Sequence, residues 1–583
     1  MKIRYTLNYD LLSTLNFKLL STNTYPLKQN LSMCFKKLLY TSCFFVWGIM
    51  FGTEAVAQSS YADHSRLASG SWYKIPVATS GVYVINTADV AELYGTSCNQ
   101  IALFGAPGGM LAVSNMAGHP DDMVAAAIEV VDMNGNGTFE MDDYILFYGE
   151  GPSVWRYMNS DQLFEYSSHA YANYNYYYLT TTYTQIDSSL RLQHPTFTPN
   201  SSNSISTYTA VALLHEDKIN PVEGGELWMA DKFTSSFSSR SYTLLLPSAP
   251  SAGTIEARYG LAHLSDYSGQ FGFQSGGETW TNNFDANTTY SIFKRNLSST
   301  NSNEVSLNIA YTPRENSATG YLDFIELNAI VPLSYLSGQQ FIRNKQQIQE
   351  GSVSQFVGTG YTSGMRLWDV TDPSQPCEIA IQTSGNNGFS FAAPTDAPKT
   401  FIAFTKEDAL HPAGIENIVN QDIHGTEVPD YVIVTHKDFR TQAEKLANLH
   451  RAEDGMNVLV VNQEEVFNEY SSGRPDPVAI RQMMLNMRKK DPAGMSPRYL
   501  LLFGKGTYDN RNIMGSSQRT VVTYQYPSVV LTDIAAYPSD DIYGYLEEST
   551  QVFTRGGSRW ESADFPLRQL RKPSIWSTRL RGT

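Results

Sequence analysis

Tyr431-Val432-Ile433-Val434-Thr435, Asn457-Val458-Leu459-Val460-Val461 and Tyr499-Leu500-Leu501-Leu502-Phe503 are three short, almost wholly apolar runs, and what separates them decides the fold. Between the first and second, Phe439, Ala443, Leu446 and Ala447 recur at helical spacing until Gly455 offers a stop. Between the second and third, Asp476 is placed to cap a helix with Pro477 in its first position. Ile480, Met484 and Met487 give that helix an apolar face, and Arg488-Lys489-Lys490 matches its dipole at the end. A β-α-β-α-β order with right-handed crossovers is a parallel sheet, whose strands are buried on both faces and so lack alternation. Ligands of such sheets collect at the carboxyl ends of the strands, here Thr435-His436, Asn462-Gln463 and the loop Gly504-Lys505-Gly506-Thr507-Tyr508-Asp509.

Upstream the pattern is different. Trp72–Val77, Gly81–Ile85, Ile101–Gly105 and Tyr144–Gly149 are short strands punctuated by Gly and Asn, which predicts a mainly β domain over residues 58–200. Tyr242–Leu246 and Val305–Ile309 predict a β-sandwich over 201–345, and Met365–Val370 with Thr400–Phe404 a small β module over 346–425. The fold class is therefore multidomain: amino-terminal mainly-β domains followed by the start of an α/β parallel-sheet domain over 426–554. At 583 residues the chain is too long for one hydrophobic core.

Composition narrows the function. The net charge of -15 and the lack of clustered Lys and Arg exclude a general nucleic-acid binder. Lys36 and Lys37 precede the apolar run Leu38–Phe51, and Ala55-Val56-Ala57 follows it, the pattern of a cleaved signal peptide; a run of 14 residues is short of the roughly 20 that span a bilayer. Residues 1–57 thus read as an over-extended start plus signal peptide, with Met33 the expected initiator and the mature chain opening near Gln58. Once they are removed, Cys98 and Cys377 remain, either as a pair joining distant segments or as two inert thiols.

Three motifs could carry chemistry. Gly504-Lys505-Gly506 is not a phosphate loop, because Gly rather than Ser or Thr follows the lysine. His436, beside a strand end, is either a base or an ordinary polar histidine; no cysteine lies near it in sequence. Asp132, Asn134 and Asn136 stand at positions 1, 3 and 5 of a twelve-residue loop with Gly137 at 6 and Asp143 at 12, the oxygen spacing of a calcium loop, with Glu140 between. The apolar flanks Ile128–Val131 and Tyr144–Phe147 equally suit a hairpin whose turn is made by the two Asn-Gly pairs. No cofactor is otherwise required.

Pro429–Thr435, the helix around Ala443–His450, Tyr499–Asp509 and Tyr537-Pro538-Ser539-Asp540-Asp541-Ile542-Tyr543-Gly544 resemble the opening of the gingipain-type cysteine peptidase domain. Trp72–Ile75, Ser80–Tyr83 and Asp142–Gly149 resemble the amino-terminal region of the type IX secretion system sortases of that family. The resemblance implies a caspase-like fold for the α/β domain, a thiolate–histidine dyad with an oxyanion hole, and Gly504, Gly506, Asp509, Asp540 and Asp541 in loops on the active-site side. It further implies an exported, outer-membrane or cell-surface peptidase that removes the carboxy-terminal export signal of cargo proteins. Its partners would be that cargo, other components of the secretion system, and the anionic lipopolysaccharide to which cargo is joined. Lys505 departs from the resemblance, which leads one to expect an acidic residue between the glycines. The family's catalytic His and Cys would follow the Asp540-Asp541 segment, and no His follows His450 and no Cys follows Cys377. The chain is therefore expected to end before its dyad and to be inactive. Residues 555–583, with seven basic side chains against Glu561 and Asp564, read as a frameshifted tail, since Trp560-Glu561 in the preceding frame encodes a Gly and its neighbours admit family-like residues. The alternative function is a non-catalytic exported surface-binding protein built of β-sandwiches.

Overall fold

The computed structural model describes residues 61–546, apart from positions 116, 252, 287 and 535 and segments 201–203, 299–300, 517–518 and 528–533, together with the backbone of residues 576–579. The predicted signal peptide and nearly all of the predicted frameshifted tail lie outside the described residues.

Most of the regular secondary structure among the described residues is β. The amino-terminal domain pairs a five-stranded sheet, centred on Trp72–Val77 and Asn175–Thr180, with the three-stranded sheet Gly81–Ile85, Tyr144–Gly149 and Ile128–Val131. Ile75, Val77, Ile85, Leu103, Phe147, Tyr177 and Leu179 fill the space between them. The strand Glu416–Ile418 joins the edge of the five-stranded sheet by pairing antiparallel with Trp72–Val77.

A nine-stranded sheet follows. It runs through Thr254–Leu264, Thr319–Pro332 and Thr207–His215 into Gln340–Asn344, and Gln340–Asn344 pairs with Lys399–Phe404. One sheet thus crosses the 345/346 boundary suggested by the sequence. Two four-stranded sheets, one built on Glu304–Pro313 and the other on Val353–Thr359, contribute to the same apolar core as this sheet. Along Glu304–Pro313 the alternation is strict: Val305, Leu307, Ile309 and Tyr311 are buried while the residues between them face water.

The α/β domain is as its three apolar runs predict. Strands β1 (Tyr431–Thr435), β2 (Val458–Asn462) and β3 (Tyr499–Phe503) are parallel, and β4 (Trp576–Arg579) continues the sheet beside β3 in the order β2-β1-β3-β4. Helix α1 (Arg440–Glu453) covers one face through Ala443 and Ala447, packed against Ile433, Val460 and Leu501. It stops before Gly455, whose φ of +64° suits a residue without a Cβ. Helix α2 (Gln463–Tyr470) and helix α3 (Pro477–Lys490) cover the other face, where Val466, Phe467, Ile480, Met483 and Met484 meet Val432, Val434, Leu500 and Leu502. Among the described residues no helix is long and apolar enough to cross a membrane.

Candidate functional site

The strands end side by side. Thr435, wholly buried at the end of β1, donates its hydroxyl to the carbonyl of Phe503 at the end of β3, 3.0 Å away, which locks the two termini together. His436 follows and caps the next turn: its Nδ1 accepts the Asp438 N–H at 3.2 Å and its ring packs against Phe439. At the end of β2, Gln463 holds a neighbouring segment by two bonds, donating to the Thr520 carbonyl (2.9 Å) and accepting the Val522 N–H (3.0 Å).

That segment, Thr520–Gln525, organises the site. Val521 N–H donates to the Lys505 carbonyl, and a Cβ on Gly504 would lie 2.8 Å from a Val521 methyl, so the first glycine of the loop is needed for close packing. Thr507 N–H donates to Thr523 Oγ1 at 3.0 Å, and Asn510 and Thr523 exchange two bonds. On the other side Ser539 N–H donates to the Tyr524 carbonyl, and the wholly buried Tyr543 packs beneath. The structure therefore brings the Gly504–Asp509 loop and the Asp540–Asp541 turn to one segment. Their side chains divide by role. The buried Asp509 carboxylate accepts the N–H groups of Ile513 (2.7 Å) and Met514 (2.8 Å) and so closes its own turn, whereas Lys505 and Asp541 are exposed at the rim.

The sequence gives no sign of a second wall, contributed by the nine-stranded-sheet domain. Trp228 stacks on Tyr508 (6.1 Å between centroids, 26°), Gly225 N–H donates to Gln525 Oε1 at 3.2 Å, and Asp217 pairs with Arg511. Tyr171 donates to Glu226 at 2.5 Å, and burial, with Glu226 beside it, holds its hydroxyl well above the usual phenolic range. The amino-terminal domain grips the same region from below. The buried Arg474 donates to the carbonyls of Ala106 and Pro107 and to Asn175 Oδ1, and Asp476, which caps α3 through Val478 N–H, also accepts the N–H of Leu111 at 2.9 Å.

Neither remaining cysteine is an activated nucleophile. Both are free, no hydrogen bond joins either thiol to a histidine among the described residues, and burial raises both pKa values, that of Cys377 to about 11. An attacking thiol requires the opposite shift.

The 132–143 loop is a tight turn joining strands Ile128–Val131 and Tyr144–Gly149, which pair with each other, so its flanks form a hairpin. Asp132 accepts the N–H groups of Gly135 (2.7 Å) and Gly137 (2.6 Å), while Asn134 and Asn136 accept those of Asn136 and Thr138. Asp143 accepts the N–H groups of Met133 and Glu140, and Asn134 donates to Glu140. The oxygens that the spacing offers to a cation each accept an N–H of the loop and keep a second lone pair, and among the described residues no three His, Cys, Asp or Glu side chains converge on a metal position.

Residues 424–576 match the family model described as Peptidase family C25, the gingipain family. Among solved structures the chain is similar to dimeric latent PorU from Porphyromonas gingivalis, with a TM-score of 0.72 at 24% identity over 85% of this chain and 47% of that one. It therefore spans about half of that relative's length. Weaker likenesses are to the carbohydrate-binding module CBM36 in complex with calcium and xylotriose (17% identity, 20% of this chain and 98% of that one) and to the CBM36-1 domain of a xylanase from the hindgut metagenome of Trinervitermes trinervoides (12%, 20% and 95%). Their TM-scores of 0.14 and 0.15 establish no shared fold. No curated protein matches the chain. The chain thus has a PorU-like fold, and its residues 424–576 are similar to the C25 peptidases.

Proposed function

We propose that this chain is part of a sortase-like cysteine peptidase of the type IX secretion system, exported to the periplasm or the outer membrane. Such an enzyme would remove the carboxy-terminal export signal of cargo proteins and join the cargo to anionic lipopolysaccharide, working beside other components of the secretion system. The observation that carries the reading is the PorU-like fold over 85% of the chain, coincident with the C25 match over 424–576. Mechanistically a thiolate would attack the peptide carbonyl to form an acyl-enzyme, releasing the export signal, and an amine on the acceptor, or water, would then take the acyl group and free the thiol. The arrangement of the described residues supports this reading. The rim at Lys505 and Asp541 and the wall at Trp228 and Tyr508 flank the strand ends, while the two raised thiols argue that the nucleophile is neither Cys98 nor Cys377. The 583-residue chain alone is accordingly proposed to be inactive. The test is deletion of the gene followed by mass spectrometry of secreted proteins. Retained carboxy-terminal signals that reintroduction of the gene cures support the reading; unchanged cargo termini overturn it.

The second reading, a non-catalytic surface-binding protein, is favoured by the same raised thiols. It predicts unchanged cargo processing in the deletion strain. For the 132–143 loop we propose a structural calcium ion, supported by the spacing of its oxygens; a melting temperature indifferent to both calcium and chelator overturns this.

A further inference from the structure

The face of the nine-stranded sheet turned away from its core packs on the amino-terminal domain. Part of that contact is filled, by Val82, Leu146, Trp368, Ile402 and Phe404. Elsewhere the two domains part to leave a cavity of about 760 Å³. Arg343 lies in its wall. In the strand Gln340–Asn344, Ile342 points into the sandwich core, so Phe341 and Arg343 share the opposite face.

Arg343 is an exception in this molecule. It is 7% exposed, yet its guanidinium has no hydrogen bond or ion pair with any described residue, and Nε has no partner at all. The other buried arginines of the described residues each hold at least one oxygen, Arg474 three and Arg481 the Val113 carbonyl, and the half-buried Arg258 pairs with Glu326, although the Nε atoms of these three are unpartnered as well. Around Arg343 stand instead the rings of Phe341 (4.9 Å), Trp155 (5.7 Å) and Phe164 (5.9 Å). Burial pulls its pKa down to about 10, with only the hydroxyls of Tyr148 and Tyr208 near enough to oppose the shift. A buried cation without a counter-charge is costly, and buried charges are ordinarily paired. The cavity wall carries Arg156, Arg343 and Arg511 against a single carboxylate, Glu150, in a chain of net charge -15. Arg156 and Arg511 are committed to Glu150 and Asp217, which leaves Arg343 as the charge awaiting a partner.

We infer that this interdomain cavity is a binding site for an acidic saccharide, its carboxylate or phosphate held by Arg343 and its ring packed among Trp155, Tyr157 and Tyr166. An oxyanion is what an unpaired guanidinium recognises, and a wall that mixes aromatic rings with hydroxyls and amides suits a sugar ring rather than an aliphatic chain. The inference is independent of the peptidase reading, because the cavity holds none of the loops at the strand ends except Arg511.

Titration calorimetry on the full chain tests it, with trigalacturonate, glucose 6-phosphate and neutral maltotriose as probes. Binding of at least one acidic probe, at least tenfold tighter than maltotriose and lost in Arg343→Met, is expected; which acidic probe binds tells carboxylate from phosphate. Arg343→Met should also melt at the same or a higher temperature, since it removes an uncompensated buried charge. Equal binding of acidic and neutral probes, no binding of any, or a Met variant that keeps the acid preference overturns the proposal. So does a Met variant that melts lower while Arg343→Lys melts like the wild type, because the charge then serves the fold.

Discussion

His424 Nδ1 lies 2.6 Å from Glu469 Oε2, and its other ring nitrogen is 2.9 Å from Asp121 Oδ1, so one fully buried imidazole is held between carboxylates of two domains. Its ring stacks on Tyr470 at 4.4 Å and 8°, Glu469 also accepts the N–H groups of Ile423 and His424, and the Lys490 ammonium donates to the His424 carbonyl. Burial pulls the histidine's pKa down, but the hydrogen bonds and charges of Asp121 and Glu469 outweigh it and raise the value to about 9. A raised pKa stabilises the fold fully below the unfolded value near 6.5 and loses that contribution as pH rises through about 9. Urea midpoints should therefore fall between pH 6.5 and 9.5, by the equivalent of about 2–3 kcal/mol from this group. His424→Gln should be less stable at pH 6.5 and show a flatter pH dependence; an equally steep profile would assign the effect elsewhere.

Asp509 is predicted to be a structural carboxylate. Asp509→Ala leaves two N–H groups in a buried turn without acceptors, at a cost of about 1–3 kcal/mol, and Asp509→Asn, which keeps one acceptor, should lose less. Chemical denaturation of both variants measures the difference, and equal stability of Ala and wild type would refute the assignment.

Gly504→Val should disturb the site more than its core. The added side chain meets Val521, which cannot withdraw without moving the 520–525 segment to which Lys505 and Thr507 are hydrogen-bonded, so a loss of about 1–3 kcal/mol is expected. Faster amide exchange over 504–510 and 520–525, with β1 and β3 unchanged, is the signature to look for.

Asp143→Ala removes the acceptor of Met133 and Glu140 N–H groups and should destabilise the chain by about 1–3 kcal/mol even in chelator. If calcium occupies the loop, the wild type melts higher in calcium than in chelator and the variant does not; differential scanning calorimetry separates the two contributions.

How much of this could be read beforehand follows from where the determining forces are local. The strands of the parallel sheet and helix α3 are plain in the sequence, because Asp476, Pro477 and the Ile480–Met484–Met487 stripe act within their own helix. Helix α2 was missed although Asn462 and Glu465 form a capping box, since eight residues beside a strand show little periodicity. The continuity of the nine-stranded sheet across residue 345 rests on a pairing between Gln340–Asn344 and Lys399–Phe404 that no local pattern announces. At the site, the family resemblance pointed to Gly504, Gly506, Asp509, Asp540 and Asp541 as loop residues on the active-site side, without saying what any of them touches. What each does depends on tertiary partners: Val521 for Gly504, the Ile513 and Met514 amides for Asp509. The wall at Trp228 lies far away along the chain and left no trace at all.

The pairing of Glu416–Ile418 with Trp72–Lys74 means that the first strand of the amino-terminal sheet must wait for roughly 340 further residues before its outer edge is covered. During synthesis, that edge stays open as a template for any extended chain. A helper that shields it, or a delay in folding until the stretch near residue 418 emerges, becomes part of how this protein reaches its final form.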